Sequence, residues 1–275
     1  MNFSIIIPYY NSSDTIGRMI KSIPTRDDTE ILIVDDCSED QEYIKLKDIA
    51  SEFKTNNIVV IRSKENKGAG HARNLALRKA KGKWLVFADA DDYFLPYLSS
   101  AMDKYAESDF DTVYFSATSV MEHTGLPSKR HEAIERWIIN ASSGEEKYID
   151  ELKYKFYGPV CKFVRSKIVR ENTISFQETH AFNDALFSVK VGYFSEKVKI
   201  DISPIYCITE CGTSVSFTCS EKIIKSRILA IRAVNGFYRD KSIRATKMRI
   251  LPHLIYARKL GVLNWMKILI WFLKN

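Results

Sequence analysis

The sequence has few of the features that mark secreted, membrane-spanning or metal-stapled proteins. Its start, "MNFSIIIPYYNSSDT", has no basic n-region, and its short apolar run is broken by Pro8. Neither a signal peptide nor a membrane span is expected there, and the chain should stay in the cytosol. Only five cysteines occur (Cys37, Cys161, Cys207, Cys211 and Cys219), an odd number without paired CxxC spacing, beside five scattered histidines. That pattern excludes a disulfide framework and predicts free thiols with no zinc site. Internal repeats and low-complexity linkers are also missing, which excludes a solenoid or a disordered chain. What is present, 275 residues with 45% hydrophobic and 27% charged side chains, suits one large α/β domain or two small ones.

The formal charge of +7 is unevenly spread. Residues 221–275 hold thirteen Lys or Arg against two acids, a net of +11, which leaves −4 for residues 1–220. The basic character belongs to the C-terminal segment.

Along the first hundred residues, apolar β-rich runs alternate with amphipathic segments, the pattern of a mostly parallel, Rossmann-like sheet with helices on both faces. "FSIIIPYY", "TEILIVDD", "NIVVIRS" and "KWLVFAD" read as strands. "SDTIGRMIKSI", "EDQEYIKLKDIASEF" and "GHARNLALRKAKG" read as the helices between them. The Ile, Val and Leu runs lack alternation, as in strands buried on both faces. Pro96 suits a helix start, and "DTVYFSAT" reads as a further strand. Helical stretches are expected around "HEAIERWII" and "KYIDELKYKF". "GPVCKFVRSKIVREN" and "FNDALFSVKVGYF" look like two helices flanking "ISFQE", and "SPIYCITE" reads as a late strand. The chain divides on this reading into residues 1–118, 119–220 and a basic helical tail, 221–275.

The stretch "WLVFADADDYFLP" poses the sharpest chemical question. A buried strand runs into Asp89, Asp91 and Asp92, three carboxylates within four positions. Two like charges ~4 Å apart repel by about 1 kcal/mol in water and about 4 kcal/mol at the effective dielectric of a protein surface. Something positive is expected there. Successive parallel strands place their carboxyl ends on one edge, where ligands bind. "PYYN", "DDCS", "NKGAGHARN" and "DADD" all fall on that edge. A hard divalent cation such as Mg²⁺ or Mn²⁺, bound by carboxylates together with phosphate oxygens, would offset the repulsion. Tyr10 can stack on a base, and Asp36 can accept the imide N–H of uracil. Gly68 and Gly70 let the backbone approach a ligand, and Arg73 offers a fork of donors to phosphate or base.

The segments "SIIIPYYNSSDTI", "EILIVDDCSED", "NKGAGHARNLAL" and "WLVFADADDYFLP", in that order and spacing, resemble glycosyltransferase family 2. The resemblance covers nearly all of residues 1–96 and implies a GT-A fold and inverting sugar transfer from a nucleotide sugar. It implies that Pro8, Tyr10 and Asn11 line the nucleoside pocket, that Asp36 reads the base, and that Gly68, Arg73 and Asn74 complete the donor site. Asp89-Ala90-Asp91 matches the DxD motif, with Asp91 the direct ligand of Mn²⁺ or Mg²⁺ and Asp89 nearer the ribose or the metal's water shell. Asp92 is then a supporting or helix-capping acid.

Inverting transfer needs one general base. "GPVCKFVRSKIVRENTISFQETHAFNDALFSVKV" resembles the family's later segment, where an acidic pair opens a helix; here the pair reads Asn183-Asp184. Asp184 is the candidate base and Glu178 the alternative, with His180 a weaker one. "CGTSVSF", around Thr213 to Ser216, resembles a loop that closes over the donor.

Plainer readings exist for each motif taken singly. Carboxylates at strand ends are often helix caps, which explains one Asp but not three. "KGAGHARN" lacks the final glycine and ribose-binding acid of a dinucleotide site, and "DDCSEDQEYIKL" lacks the glycine and terminal glutamate of a calcium loop. A nucleotidyltransferase would want a basic glycine-rich loop where "PYYNSSD" stands. In the tail, "SRILAIRAV" suits a helix packing back on the catalytic domain as well as a membrane attachment, and the end, "LGVLNWMKILIWFLKN", with aromatic residues beside Lys267 and Lys274, suits an anchor in an anionic membrane surface. No nucleic-acid module accompanies it. The sequence therefore points to a metal-dependent hexosyltransferase, cytoplasmic and peripheral at the inner face of the plasma membrane. It would transfer sugar from a nucleotide sugar, with a UDP-sugar favoured, to a glycan or lipid-linked saccharide in surface polysaccharide biosynthesis. The alternative is a non-catalytic nucleotide-sugar-binding or scaffold protein of the same fold.

Overall fold

The structure of the protein, a computed structural model, describes residues 1–53, 57–211, 219–245 and 247–274. The N-terminal half alternates β1 (Phe3–Tyr9), α1 (Ser13–Ser22), β2 (Thr29–Asp35), α2 (Asp40–Glu52), β3 (Asn57–Arg62), α3 (Ala69–Leu77) and β4 (Trp84–Phe87). A two-residue strand β5 (Tyr93–Phe94), α4 (Tyr97–Tyr105) and β6 (Thr112–Met121) follow. Next come α5 (Glu132–Ala141), α6 (Glu146–Lys155), β7 (Lys162–Arg165), α7 (Ser166–Glu171), α8 (Ala185–Phe194) and β8 (Val198–Glu210). The chain ends in α9 (Glu221–Asp240), α10 (Leu251–Tyr256), a 3-10 turn (Ala257–Leu260) and α11 (Val262–Lys274). The division at 118/119 falls within β6.

One eight-stranded sheet runs in the order β3-β2-β1-β4-β7-β6-β8-β5. The β3-β2-β1-β4 half is parallel, β7 is antiparallel to both β4 and β6, and β6 pairs with β8 in parallel. The unbroken apolar runs of β1, β2 and β4 follow from burial on both faces. Ile5, Ile7, Ile31, Ile33 and Val86 face α1, α2 and α4 in one core, while Ile6, Leu32, Val34, Leu85 and Phe87 face α3 and α8 in another. The period of two persists, but both phases are hydrophobic.

Two expectations change. β3 is the sheet's edge, with residues exposed or half-buried along it, because no strand among the described residues pairs beyond it. Residues 158–172 are not one helix: strand β7 enters the sheet between β4 and β6, and only α7 is helical. The β-branched and aromatic run "KFVR" gains sheet pairing on both sides, which outweighs its helical surroundings. "ISFQE" forms no strand and crosses the α3 face as an extended segment held by side chains. Among the described residues no helix is long and apolar enough to cross a membrane.

Candidate active site

The carboxyl ends of β1, β2 and β4 and the start of α3 meet at one cleft of about 710 Å³. Its shape begins with local bonds. Asn11, at a positive φ of 44°, donates its backbone N–H to Ser38 Oγ (2.9 Å) and accepts the Glu39 N–H on Oδ1 (3.1 Å). This ties the β1 and β2 loops together and leaves Tyr10 exposed on the cleft wall. Asp36 is buried there and accepts the N–H groups of Lys67 (3.1 Å) and Gly68 (2.6 Å). Burial raises its carboxyl above the usual range, with the two backbone bonds opposing. Each carboxylate oxygen has two lone pairs, so Asp36 can still accept from a base.

The far end of the cleft is made by α3, β4 and the loop before α8. Arg73 is buried, donating to Asp89 Oδ1 (2.5 Å) and Asn183 Oδ1 (3.2 Å), and its ring partner is Phe176, at 5.4 Å. The positive group expected beside the three aspartates is thus supplied in part by the chain itself. Asp92 is buried and points inward, accepting the Thr209 N–H (2.7 Å) and a bond from the Tyr206 hydroxyl. It caps no helix. Burial and the charges of Asp89 and Asp91 raise its carboxyl well above the ordinary range. Asp91 lines a second hollow that opens from Asp89, of about 400 Å³, walled by Arg130, Trp137, Lys155 and Tyr157. Desolvation in that recess and the Asp89 charge push the Asp91 carboxyl up to about 6. A carboxylate raised by desolvation and a neighbouring carboxylate, with only the Arg130 charge opposing, offers the oxygen ligand that a hard divalent cation takes.

Asp184 stands immediately before α8 on the cleft wall shared with Asp89 and Arg73. Burial raises its pKa, and the Arg73 charge pulls the other way. Phe182, two residues earlier, holds a left-handed φ of 58°, a strained conformation that sets the approach of Asn183 and Asp184.

Several sequence-predicted residues serve the site without lining the cleft. Pro8 and Asn11 shape the first loop, and Ala90 is packed in the core. Asn74 is a staple, its amide donating to Phe176 O (3.0 Å) and its Oδ1 accepting the Phe176 N–H (2.9 Å). Gly68, at φ 90°, does line the cleft. Gly70 instead permits close packing within the protein: a Cβ there would lie 2.1 Å from Gln177 O. Glu178 is off the cleft wall, 3.0 Å from His71 Nδ1 and 3.3 Å from the Asn74 amide. Burial raises its carboxyl, but the His71 and Asn74 contacts outweigh that and leave it below the usual range. The loop around Thr213 to Ser216 lies outside the described residues.

Other site residues gave no motif. Lys162, on β7, is fully buried and donates to the carbonyls of Phe156 (2.8 Å) and Gly158 (2.6 Å). Ile223, Arg227 and His253, from the segment read as a tail, line the main cleft. Only the fold brings them there. None of the five cysteines forms a disulfide. Glu122, His123 and Cys211 bring ligand atoms within 4.8 Å of one another, a grouping that the expectation of no zinc site did not foresee.

Comparison with known proteins places this geometry. A poly(ribitol-phosphate) beta-glucosyltransferase of Bacillus spizizenii is 26% identical over 227 residues, which cover 78% of this chain but 34% of the relative, so the chain spans about a third of that protein's length. Staphylococcus aureus TarS, solved in complex with UDP-GlcNAc, shares the fold with a TM-score of 0.64 at 23% identity, over 94% of this chain and 71% of that one. The mannosyltransferase PcManGT of Pyrobaculum calidifontis, solved with GDP-Man and Mn²⁺, matches with a TM-score of 0.61 at 15% identity, over 99% and 79% of the two chains. The model of glycosyl transferase family 2 matches residues 4–173, well over half of the sequence, and the chain belongs to that family.

Proposed function

We propose that the protein is an inverting, metal-dependent hexosyltransferase that moves a sugar from a nucleotide sugar, a UDP-sugar favoured, onto a glycan or lipid-linked acceptor in surface polysaccharide biosynthesis. The observation that carries this is the convergence of Asp36, Arg73, Asp89 and Asp184 on one cleft from four separate segments. Tyr10 and Asp36 take the nucleoside, the ring by stacking and the imide N–H by a hydrogen bond. Asp91 and Asp89 would hold Mn²⁺ or Mg²⁺, which supplies positive charge to the leaving diphosphate. Because Arg73 already pairs with Asp89, Asp91 would be the direct ligand, and Asp89 would serve the ribose or the metal's water shell.

Asp184 is the general base. Burial raises its pKa, which makes the carboxylate a stronger proton acceptor. It takes the proton of the acceptor hydroxyl as that oxygen bonds to the anomeric carbon. The bond from that carbon to the diphosphate breaks, the electron pair leaves with the diphosphate, and the configuration inverts. One relative named above is by its name a poly(ribitol-phosphate) beta-glucosyltransferase, and TarS was solved in complex with UDP-GlcNAc, which supports the substrate class.

We place the enzyme at the cytoplasmic face of the membrane, attached through residues 221–275. α11 supports this: Trp265, Ile268 and Phe272 pack inward on Ile224, Ile228 and Leu254. Leu263 (80%), Met266 (48%), Ile270 (49%) and Leu273 (81%) form an exposed stripe at helical spacing, beside exposed Lys259, Lys267 and Lys274. An apolar stripe rimmed by cations suits an anionic lipid surface.

Titration calorimetry of UDP, GDP and dTDP with Mn²⁺ tests the reading. Metal-dependent binding of one of them, lost in Asp91→Asn, is expected. Absence of binding to all three by folded protein would overturn it in favour of a scaffold.

A further inference from the structure

The turn that closes β6 and the residue just past β8 bring together three side chains of different chemistry. β6 and β8 pair in parallel, and the pairing ends with Met121 beside Glu210. The residues that follow, Glu122 and Cys211, are therefore neighbours although far apart in sequence. The Glu122 N–H donates to Glu210 O at 3.1 Å, so the register holds to its end. His123 is fixed by the turn, in which Met121 accepts the Gly125 N–H and donates to Leu126 O, both at 2.8 Å, with Gly125 at a φ of 67°. One ligand atom from each of Glu122, His123 and Cys211 lies within 4.8 Å of the others.

A carboxylate, an imidazole and a thiolate are all zinc ligands, and the sulfur sets this group apart from the all-oxygen chemistry that suits Mg²⁺ or Mn²⁺ at Asp91. Tetrahedral bonding at zinc's usual lengths spaces its ligands about 3.3–3.6 Å apart, so closure by at most about 1.5 Å is needed, within reach of side-chain rotation. With Cys211 as thiolate and Glu122 ionised, the ligands carry the negative charge that a divalent ion neutralises, and the thiol proton passes to solvent as the metal binds. Arg18 stands 4.0 Å from Glu122 Oε1 and is itself held by the Asp91 carbonyl and by Thr209 Oγ1 at 3.3 Å. A carboxylate has two oxygens, so Arg18 can steady one while a metal takes the other. Glu122 is half-buried and His123 exposed, which leaves an entry path from solvent. Cys211 already has a contact within the protein, which the metal would replace.

We propose that Glu122, His123 and Cys211 form a second metal site, for zinc or a cation of the same borderline-soft class, with water as the fourth ligand. It ties the turn after β6 to the end of β8. Its three ligands play no part in the sugar-transfer reading.

Co²⁺ is the probe, because a cobalt–thiolate bond gives a near-ultraviolet charge-transfer band that carboxylate and imidazole ligands do not. The full chain is titrated with Co²⁺ alone and then with Zn²⁺ to displace it, for wild type, Cys211→Ser, His123→Gln, Asp91→Asn and a control carrying Cys37→Ser with Cys219→Ser. Thermal unfolding checks that each variant folds. Wild type and the control are expected to show the band and to lose it to Zn²⁺. Cys211→Ser should lose the band, and His123→Gln should weaken Zn²⁺ binding by about tenfold or more. Asp91→Asn, which removes the cleft carboxylate, should leave both band and affinity unchanged. No band in wild type, a band that survives in Cys211→Ser, or one lost in Asp91→Asn or in the control would overturn the proposal. If Cys211→Ser fails to fold, His123→Gln decides, and an unchanged Zn²⁺ affinity there would overturn it.

Discussion

Replacing Lys162 by methionine should make the protein less sensitive to pH, and the size of the change follows from where the amine sits. Lys162 is buried beneath Phe156 and Gly158, with its ammonium 4.1 Å from the Phe156 ring centre and bonded only to backbone carbonyls. Desolvation pushes its pKa down to about 7 from 10.5, while the Asp184 charge opposes. A lysine with a depressed folded-state pKa favours the neutral form on folding. Its penalty is therefore full below the folded pKa and disappears as pH rises through the unfolded one. The difference of about 3.5 pH units corresponds to about 5 kcal/mol at low pH. Between pH 7 and 9 the wild type should gain about 2 kcal/mol relative to Lys162→Met, or about 4 °C in Tm for a chain of this size. Methionine removes the charge but leaves the Phe156 and Gly158 carbonyls without their donor, at about 1–3 kcal/mol each. Absolute stability at pH 7 should thus change little while the slope changes. Denaturant unfolding of both proteins from pH 6.5 to 9.5 measures this. Parallel curves would refute the reasoning and show that the amine stays charged throughout. Because Asp184 stabilises the ammonium, Asp184→Asn should lower the Lys162 pKa further and move the rise in stability to lower pH.

The same arithmetic reaches function. Asp184→Asn should reduce sugar transfer by about 10²- to 10⁴-fold while nucleotide affinity changes less than twofold, checked by turnover against calorimetry; a parallel loss of binding would argue against the role of base. Asp91, with its carboxyl at about 6, must be ionised to take a cation. Mn²⁺-dependent nucleotide affinity should be flat above pH 7 and fall up to about tenfold per pH unit below 6, with Asp91→Asn weak at every pH. Leu263→Ser combined with Ile270→Ser should abolish co-sedimentation with phosphatidylglycerol vesicles and leave Tm within about 2 °C, since both side chains are exposed. Equal sedimentation of the variant would remove the α11 stripe from the membrane reading.

How much could be read beforehand depended on whether the cause was local. β1, β2 and β4 were legible because an unbroken Ile, Val and Leu run of strand length has few other uses, and their carboxyl ends carried the polar clusters. β3 carries a similar run, yet its edge position is a property of the sheet's order, which no local pattern records. β7 was hidden for the same reason: four residues become a strand only because β4 and β6 stand on either side. In the site, Asp36, Arg73, Asp89 and Asp184 lay in stretches whose order and spacing carry meaning, and they meet in the cleft. Asn74 and Gly70 lay in the same stretch, but their work is internal. One holds Phe176 through its amide, and the other lets Gln177 approach. Arg227 and His253 lay in a basic segment without a site motif, and only the packing of α9 and α10 at the cleft brings them there.

The three aspartates that raised the first question turn out to solve it in three ways. Asp89 is met by Arg73, and Asp92 is turned inward onto the Thr209 N–H and the Tyr206 hydroxyl. The Tyr206 oxygen in turn accepts the Asp89 N–H at 2.8 Å. These bonds fix the backbone on both sides of Asp91, whose carbonyl is also held by Arg18. Asp91 is therefore the one carboxylate of the three with a positioned backbone and a charge opposed only by Arg130 across the hollow. That is the combination a cation site requires, because a ligand already in place loses little freedom when the ion arrives. Neutralising Asp92 should accordingly act through position: Asp92→Asn keeps an acceptor for Thr209, whereas Asp92→Ala frees the Tyr206 hydroxyl and loosens Asp91. Of the two, alanine should weaken metal-dependent binding more, although both remove the same charge.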